Sequence, residues 1–468
     1  MRITTKGILA LNGALYLGLA CQQTTKSGEE NNNDSRPNFI IIFADDMGYG
    51  DIGVFGNPTI KTPNLDLMAY QGQRWTSFYS AAPVSTPSRA ALLTGRLPIR
   101  TGMSSEKRRV LFPDSNGGLQ GTEITIARIL KDNGYRTGAV VKWHLGHKHP
   151  FLPADHGFES YFGIPYSNDM DKIEATDYLT LADQERYQAY NVPLMRDDSI
   201  VERPADQRTL VKRYTEETIR LIREFKNESF FIYLAHNMPH IPLFRSAEFK
   251  DRSAAGIYGD VIEEIDWSVG LILEVLKEEG LGENTLVVFT SDNGPWLIFK
   301  THGGSAGLLR GGKGGTFEGG MREPTIFWWP GKLKTGTVME MGTTMDLFPT
   351  FCSLANIKLP DDRIYDGYDI SPVMFGTGTN PRDIVFYYRD VDIFAIRKGP
   401  YKAHFMTQSE YGPDPRMVHD PPLLYNLLTD PSEKYDIADK YPEVIDEIKK
   451  ILEDHNSTLV PVENQLEK

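Results

Sequence analysis

At 468 residues, 40% hydrophobic and 24% charged, the chain has the composition of a folded, enzyme-sized protein and not of a disordered or fibrous one. It is long enough to bury one large core or two unequal ones. Its formal net charge of -13, with no basic run beyond "EKRR" (Glu106–Arg109), argues against a general nucleic-acid surface, so attraction for an anionic substrate has to be local.

In chain order, residues 1–20 place Arg2 and Lys6 before the apolar run "GILALNGALYLGLA", which is too short to span a bilayer and has the shape of a signal-peptide core. The run ends at Cys21, which resembles the lipidated cysteine of a bacterial lipoprotein, although Gly18 stands where such sites usually carry leucine. Residues 21–36 are polar and read as a flexible tether. The expectation is an exported protein, periplasmic or anchored at the outer membrane, whose membrane contact is through the lipid alone. Only Cys352 then remains, inside "LFPTFCSLANI", where it reads as a core residue with no disulfide partner.

"NFIIIFADD" is a continuous apolar run ending in Asp45 and Asp46, the pattern of a buried parallel strand with its working end in a loop. Two adjacent carboxylates turned toward one point require a cation. "APVSTPSRAALLTGRL" predicts a helix with Thr86 as N-cap, Pro87 as first helical residue, Leu92 and Leu93 on the buried stripe and Gly95 at the end. Ser85 then lies at the helix mouth, among unpaired backbone donors that favour anions, with Arg89 able to lean back toward it. The plain alternative is an ordinary capped helix with a surface arginine.

A helix carrying Ile126, Ile129 and Leu130 stops at Gly134 before the strand-like "RTGAVVKWH", where Lys142 and His144 alternate and so share a face. His147 and His149 follow, leaving open a zinc-binding tract or chance loop histidines. Helices through "VKRYTEETIRLIREF" and "VIEEIDWSVGLILEVLKEEG" precede the strands "SFFIYLAHN" and "NTLVVFTSDNG". His240, in "HNMPHIP", reads alone as a packed core residue. Asp292 and Asn293 end the last of these strands and, with Asp45 and Asp46, offer hard oxygen ligands of the kind calcium or magnesium prefers, although Asn-Gly is equally a turn signal.

"GLLRGGKGGTFEGG" has the spacing of a phosphate-binding loop, but Gly314 occupies the Ser/Thr position and no strand-to-helix frame surrounds it. What survives is Lys313 on a backbone that can approach a ligand closely. Helices alternating with buried strands predict an α/β sheet covered on both faces, with sites at strand C-terminal ends, over 37–359. From 360 to 468 shorter strand signals and the helix "PEVIDEIKKILEDH" predict a small C-terminal α+β subdomain.

Taken together, "STPSRAALLTG", "ADDMGYGD", "NPTIKTPNLD", "KWHLG", "HGFESYFGIPYS", "SDNGP" and "GGKGGTFEGGMREP" resemble, in order, the motifs of the type I (formylglycine-dependent) sulfatases. The resemblance is to a serine-type bacterial member near the arylsulfatase A and galactosamine-6-sulfatase branches, and it runs from about Pro37 through "PPLLYNLLTDPSEKYDIA". It implies an alkaline-phosphatase-like fold: a large mixed sheet flanked by helices. It also implies hydrolysis of sulfate esters, with Ser85 oxidised to the aldehyde formylglycine by a maturation enzyme. Serine at this position implies the radical-based bacterial maturation route, the alternative being an engineered loss of the nucleophile.

By the same resemblance Asp45, Asp46, Asp292, Asn293 and residue 85 hold one calcium. Arg89 and Lys142 hold the aldehyde hydrate, and His144 takes the proton that releases sulfate. Lys313 and His240 bind the sulfate, with His240 the acid for the leaving oxygen. The implied substrate is a sulfated carbohydrate, with galactose or N-acetylgalactosamine favoured. Asn168, Asp169, His302 and His419, polar residues in variable loops, are the candidates for reading sugar hydroxyls. Two rival readings stand beside this one: a phosphatase or phosphodiesterase of the same superfamily with two zinc ions, and an inactive glycan-binding lipoprotein.

Overall fold

The computed structural model describes residues 36–173, 177–183 and 186–468. The signal-peptide, lipidation and tether expectations for residues up to Ser35 lie outside them. Ten strands form one sheet: β1 (Asn38–Ala44), β2 (Gln73–Tyr79), β3 (Arg136–Lys142), β4 (Ser160–Ile164), β5 (Leu194–Arg196), β6 (Ser199–Glu202), β7 (Phe230–Ala235), β8 (Thr285–Ser291), β9 (Arg322–Trp328) and β10 (Gly336–Thr343). Their order is β10-β2-β9-β8-β1-β7-β3-β4-β5-β6. The centre, β8-β1-β7-β3-β4, is parallel, while β9 runs antiparallel to both neighbours, which makes the sheet mixed.

The apolar run of β1 is unbroken because both faces are covered. Ile40, Ile42 and Ala44 enter one core with the helices Leu210–Phe225 and Gly256–Glu278, and Phe39, Ile41 and Phe43 enter the other with Ile126–Asp132 and Leu347–Leu354. Cys352 is buried in the second core as a free thiol.

The C-terminal region is an antiparallel sheet of β11 (Ile384–Arg389), β12 (Asp392–Lys398), β13 (Tyr401–Thr407) and β14 (Met417–Asn426), backed by the helix Pro442–Ser457. It is not separable from the rest: residues 36–468 form one compact unit. Ala91 of the helix Ser85–Thr94 packs into the same cluster as Ile396, Leu424, Ile445 and Ile448. That helix accordingly has no solvent face, since all ten of its residues are buried, where a single buried stripe was expected.

Register places the site. Ala44 pairs with Ser291 and Phe43 with Ala235, so Asp45, Asp292 and the loop after β7 emerge together where the parallel strands end.

Candidate active site

The helix begins two residues earlier than its sequence suggests: Val84 precedes it without a side-chain cap, and Ser85 is its first residue. Thr86 is therefore not the cap. Its hydroxyl instead donates to the His144 carbonyl at 3.0 Å and accepts from the Leu111 amide at 3.2 Å, tying the helix start to two loops. Ser85 keeps the expected place at the helix mouth, and its Oγ donates to Asp45 Oδ1 at 3.2 Å.

Three carboxylates converge there. Asp45, Asp46 and Asp292 each present an oxygen within 4.8 Å of the others, all buried. Asp46 reaches the group through a left-handed backbone (φ 66°), and its amide donates to Asp292 Oδ1 at 3.1 Å. Asn293 Nδ2 donates to Asp46 Oδ1 at 2.8 Å, leaving Asn293 Oδ1 buried without a partner. An orphaned amide oxygen beside three carboxylates fits a hard divalent cation, which would use all four as oxygen ligands. Among the described residues this is the acidic cluster able to hold a metal ion. His147 stacks edge-on to Tyr166, and His149 pairs with Asp155 at 3.0 Å, so neither joins His144 in a zinc site.

Basic groups surround the carboxylates. Arg89 is wholly buried, not at the surface. Its Nε and Nη2 donate to Asp292 Oδ2 at 3.1 and 2.8 Å, and Nη2 lies 3.4 Å from Asp45 Oδ1. Lys142 Nζ pairs with Asp45, and Lys313 Nζ with Asp46 Oδ2 at 2.7 Å. Burial pushes Asp45 upward, but Lys142, Arg89 and Lys313 outweigh it and hold the group below the ordinary range. Asp46 is pushed up to about 7 by burial, and Lys313 only partly offsets the effect. Asp292 is raised by burial and by Asp45.

The two histidines hold complementary tautomers. His144 lies beyond the end of β3 with φ 59°, so the strand alternation expected of Lys142 and His144 does not apply. Its Nε2 is 2.9 Å from the Leu111 carbonyl and must carry the proton, which leaves Nδ1 a bare, buried lone pair. His240 is arranged in reverse: Nδ1 donates to the Ile241 carbonyl at 2.5 Å, and Nε2 stands 3.6 Å from Asp46 Oδ2. Burial holds both rings well below the usual histidine range, with Lys142 adding to the effect on His144 and Lys313 on His240.

Lys313 depends on its glycines. Gly314 has φ 85° and donates to the Pro83 carbonyl at 2.8 Å, and a Cβ on Gly294 would lie 1.9 Å from the Gly319 carbonyl oxygen. The C-terminal sheet clamps this loop. Buried Lys402 bonds the Thr316 carbonyl at 2.9 Å, Glu318 at 3.0 Å and Glu433 at 2.9 Å, and Glu433 accepts the Glu318 amide at 2.7 Å.

Ser85, His144, His240 and Lys313 line one cavity of about 400 Å³, walled by Ser167, Asp169, Phe112, Trp296 and Tyr411, with Lys107, Arg108 and Arg109 at its edge. Of the four loop candidates, only Asp169 faces it. Asn168 is buried behind the His240 loop, where its Nδ2 donates to Gln207 at 3.1 Å and to the Pro242 carbonyl at 3.2 Å, so it braces that loop instead of meeting a ligand. His302 ends the turn Leu297–His302, outside the lining, and His419 lies in β14 bonded to Thr407 at 2.8 Å. Sequence reasoning missed Trp296 and Tyr411. The first directly follows the "SDNGP" motif and could have been found there; the second comes from the β13–β14 loop, which only the tertiary fold brings over the site.

With this geometry in place, comparison with known proteins gives a consistent result. The profile described as Sulfatase matches residues 37–357, and that described as C-terminal region of aryl-sulfatase matches 380–468. The chain is 41% identical over 446 residues to arylsulfatase A of Homo sapiens, covering 89% of this chain and 87% of that one. It is 38% identical over 469 residues to N-acetylgalactosamine-6-sulfatase of Homo sapiens, covering 92% and 87%. The crystal structure of the PsFucS1 sulfatase from Pseudoalteromonas sp. superposes with a TM-score of 0.82 at 28% identity, covering 92% of each chain.

Proposed function

The chain belongs to the sulfatase family and is a sulfuric ester hydrolase, and from that premise we propose that it desulfates carbohydrates. On this reading it acts at chain ends on sulfated galactose or N-acetylgalactosamine, with an aldehyde made from Ser85 as nucleophile and calcium as metal. The observation that carries the nucleophile is Ser85 Oγ bonded to Asp45 at the mouth of a buried helix. An unmodified serine could attack sulfur once but would be left as a stable sulfate ester. The hydrate of formylglycine supplies two hydroxyls on one carbon, one to displace the alcohol and one to expel sulfate. A maturation enzyme that oxidises Ser85 is therefore part of the proposal.

Asp45, Asp46, Asp292 and Asn293, with the oxygen of residue 85, would hold the cation, which supplies positive charge to the sulfate oxygens and to the nucleophile. The chain's own groups do the rest. Lys142 and Arg89 neutralise Asp45 and Asp292 beneath residue 85 and so fix the nucleophile's position. Lys313, 4.0 Å above the Trp296 ring, offers a cation to sulfate from one side of the cavity. His144, neutral with Nδ1 unprotonated, is a base ready to take a proton from the residue-85 hydroxyl. His240 presents Nε2 to the leaving oxygen. Its role as acid requires imidazolium, which burial opposes and the substrate's negative charge favours.

The sugar assignment draws support from the N-acetylgalactosamine-6-sulfatase relative and from unpartnered groups on the cavity wall. Asp169 Oδ1, Ser167 Oγ and Trp296 Nε1 are buried without hydrogen bonds, an acceptor, a hydroxyl and a donor suited to sugar hydroxyls. A site of this kind discriminates by ~10⁴ or more against a sugar that leaves such groups unpaired. A panel of monosulfated sugars tests the assignment. The expected result is strong preference for galactose-configured over glucose-configured substrates; comparable rates on both, or activity confined to glucosamine sulfates, overturns it. The segment 1–36 supports export and lipid anchoring through Cys21, which mass analysis of the mature N-terminus tests directly.

A further inference from the structure

The chain's basic run opens onto the reaction cavity. Lys107, Arg108 and Arg109 line it together with Ser85, and Glu106 is the one acidic residue of the run. Their side chains are 78%, 35% and 26% exposed, so they stand at its solvent end. In a protein of net charge -13, three adjacent cations at the edge of the catalytic cavity are a local source of attraction for an anionic substrate.

Their present partners do not use all of them up. Lys107 meets Glu467 at 3.0 Å, Arg108 meets Asp114 at 2.9 Å and Arg109 meets Asp390 at 3.7 Å. The Lys107 pair is exposed and the Arg109 pair is longer than a hydrogen bond, so both give way to a better-placed anion, whereas Arg108 grips Asp114 through both Nη atoms at 2.9 Å. Behind Arg109 lies Arg389, 5% exposed, whose Nε has no hydrogen-bond partner and sits 3.9 Å from the same Asp390. Two guanidiniums thus share one carboxylate, while the neighbouring Arg416 already has Asp392. Burial, with the charge of Arg109 adding to it, pushes Arg389 down to about 10. Arg109 is also braced: its Nη1 donates to the Glu410 carbonyl at 3.1 Å, and its guanidinium stands 4.9 Å from the centre of the Tyr411 ring. A braced guanidinium loses little freedom when it takes up an anion.

We propose that Lys107, Arg108 and Arg109 form a second anion subsite, receiving a sulfate or carboxylate carried by the sugar residue next to the one being desulfated, so that the preferred substrate is a polyanionic glycan. This rests on the sulfated-carbohydrate reading above and adds to it a second charge and its receptor.

The test uses three disaccharides with the same terminal sulfated galactose-type residue, the neighbouring residue being neutral, sulfated or a uronate, assayed at low and high sodium chloride. The expected result is a kcat/KM roughly tenfold or more higher for a charged neighbour at low salt, expressed mainly in KM and shrinking at high salt. The sulfated and uronate arms identify which anion is received. Arg109→Gln and the double variant Lys107→Gln/Arg108→Gln should each lower kcat/KM more on the charged pair than on the neutral disaccharide. Equal kcat/KM on all three in the wild type, or equal proportional losses in the variants, overturns the subsite while leaving the desulfation reading intact. No turnover of any of the three by protein that hydrolyses nitrophenyl sulfate overturns the carbohydrate reading, and the subsite with it.

Discussion

Metal binding at this site should release a proton near neutral pH. Asp46 is pushed up to about 7 from an ordinary 3.8, mainly by burial, so in the metal-free protein ionising it costs about 4 kcal/mol more than ionising a solvated aspartate. A ligand to calcium must be ionised, so below pH 7 the metal has to displace that proton. Asp46 alone contributes a released fraction of about 0.9 at pH 6 and about 0.1 at pH 8, so affinity should fall at least about tenfold per unit below 7. The sign for stability follows. A carboxyl raised in the folded state loses stability as pH climbs through about 7 in the metal-free protein, and calcium restores it, so the melting shift on adding calcium should be larger at pH 8 than at pH 6. Calorimetric titration with calcium in buffers of different ionisation enthalpy measures the proton directly. Asp46→Asn should abolish both tight binding and proton release. Affinity independent of pH between about 5.5 and 8, with no proton released, would refute the reasoning.

His240→Ala should cost roughly 10² to 10⁴ on a sulfated sugar, whose alkoxide needs a proton, and much less on nitrophenyl sulfate; equal losses would leave His240 a sulfate ligand only. Because burial holds His240 well below 6.5, its acid form is lost before neutrality is reached, so kcat/KM on sugar sulfates should decline with rising pH from a point below the usual histidine range. Nitrophenyl sulfate should follow the His144 base limb and lack that decline. Asp169→Ala should erase much of the preference between galactose and glucose epimers, read as the ratio of kcat/KM values, because Asp169 Oδ1 would be the acceptor lost. Lys402→Met leaves Glu318 and Glu433 buried without their shared cation and should destabilise the fold by about 3–5 kcal/mol in urea titrations, with reduced kcat/KM as the loop carrying Lys313 loosens.

The parallel sheet was legible because β1, β3, β7 and β8 are apolar on both faces and β3, β7 and β8 are each preceded by a patterned helix, so one period argument served both kinds of element. The carboxylate cluster was legible because Asp45 and Asp292 end paired strands, and strand ends are where α/β sheets place their sites. The helix start was misplaced by two residues because the Thr86 hydroxyl is taken by His144 and Leu111, partners distant in sequence that no local capping rule contains. The reach of Arg89 back toward the helix mouth was legible from its spacing, but its complete burial was not, because Asp292 and the Lys142 carbonyl that enclose it come from strand ends distant in sequence. Asn168 and Asp169 sit side by side yet face opposite ways, one into a bracing network and one into the cavity, which loop composition does not distinguish.

The account's central claim is that residue 85 acts as an aldehyde and not as serine, and the most direct test is the mass of the peptide bearing it, taken from protein whose turnover number has been measured in the same preparation. The account predicts that active protein carries a residue 85 lighter than serine by two hydrogens, in proportion to its activity, and that protein made without the maturation enzyme has serine mass and no multiple turnover. Full multiple-turnover sulfatase activity in protein whose residue 85 has serine mass alone would contradict it.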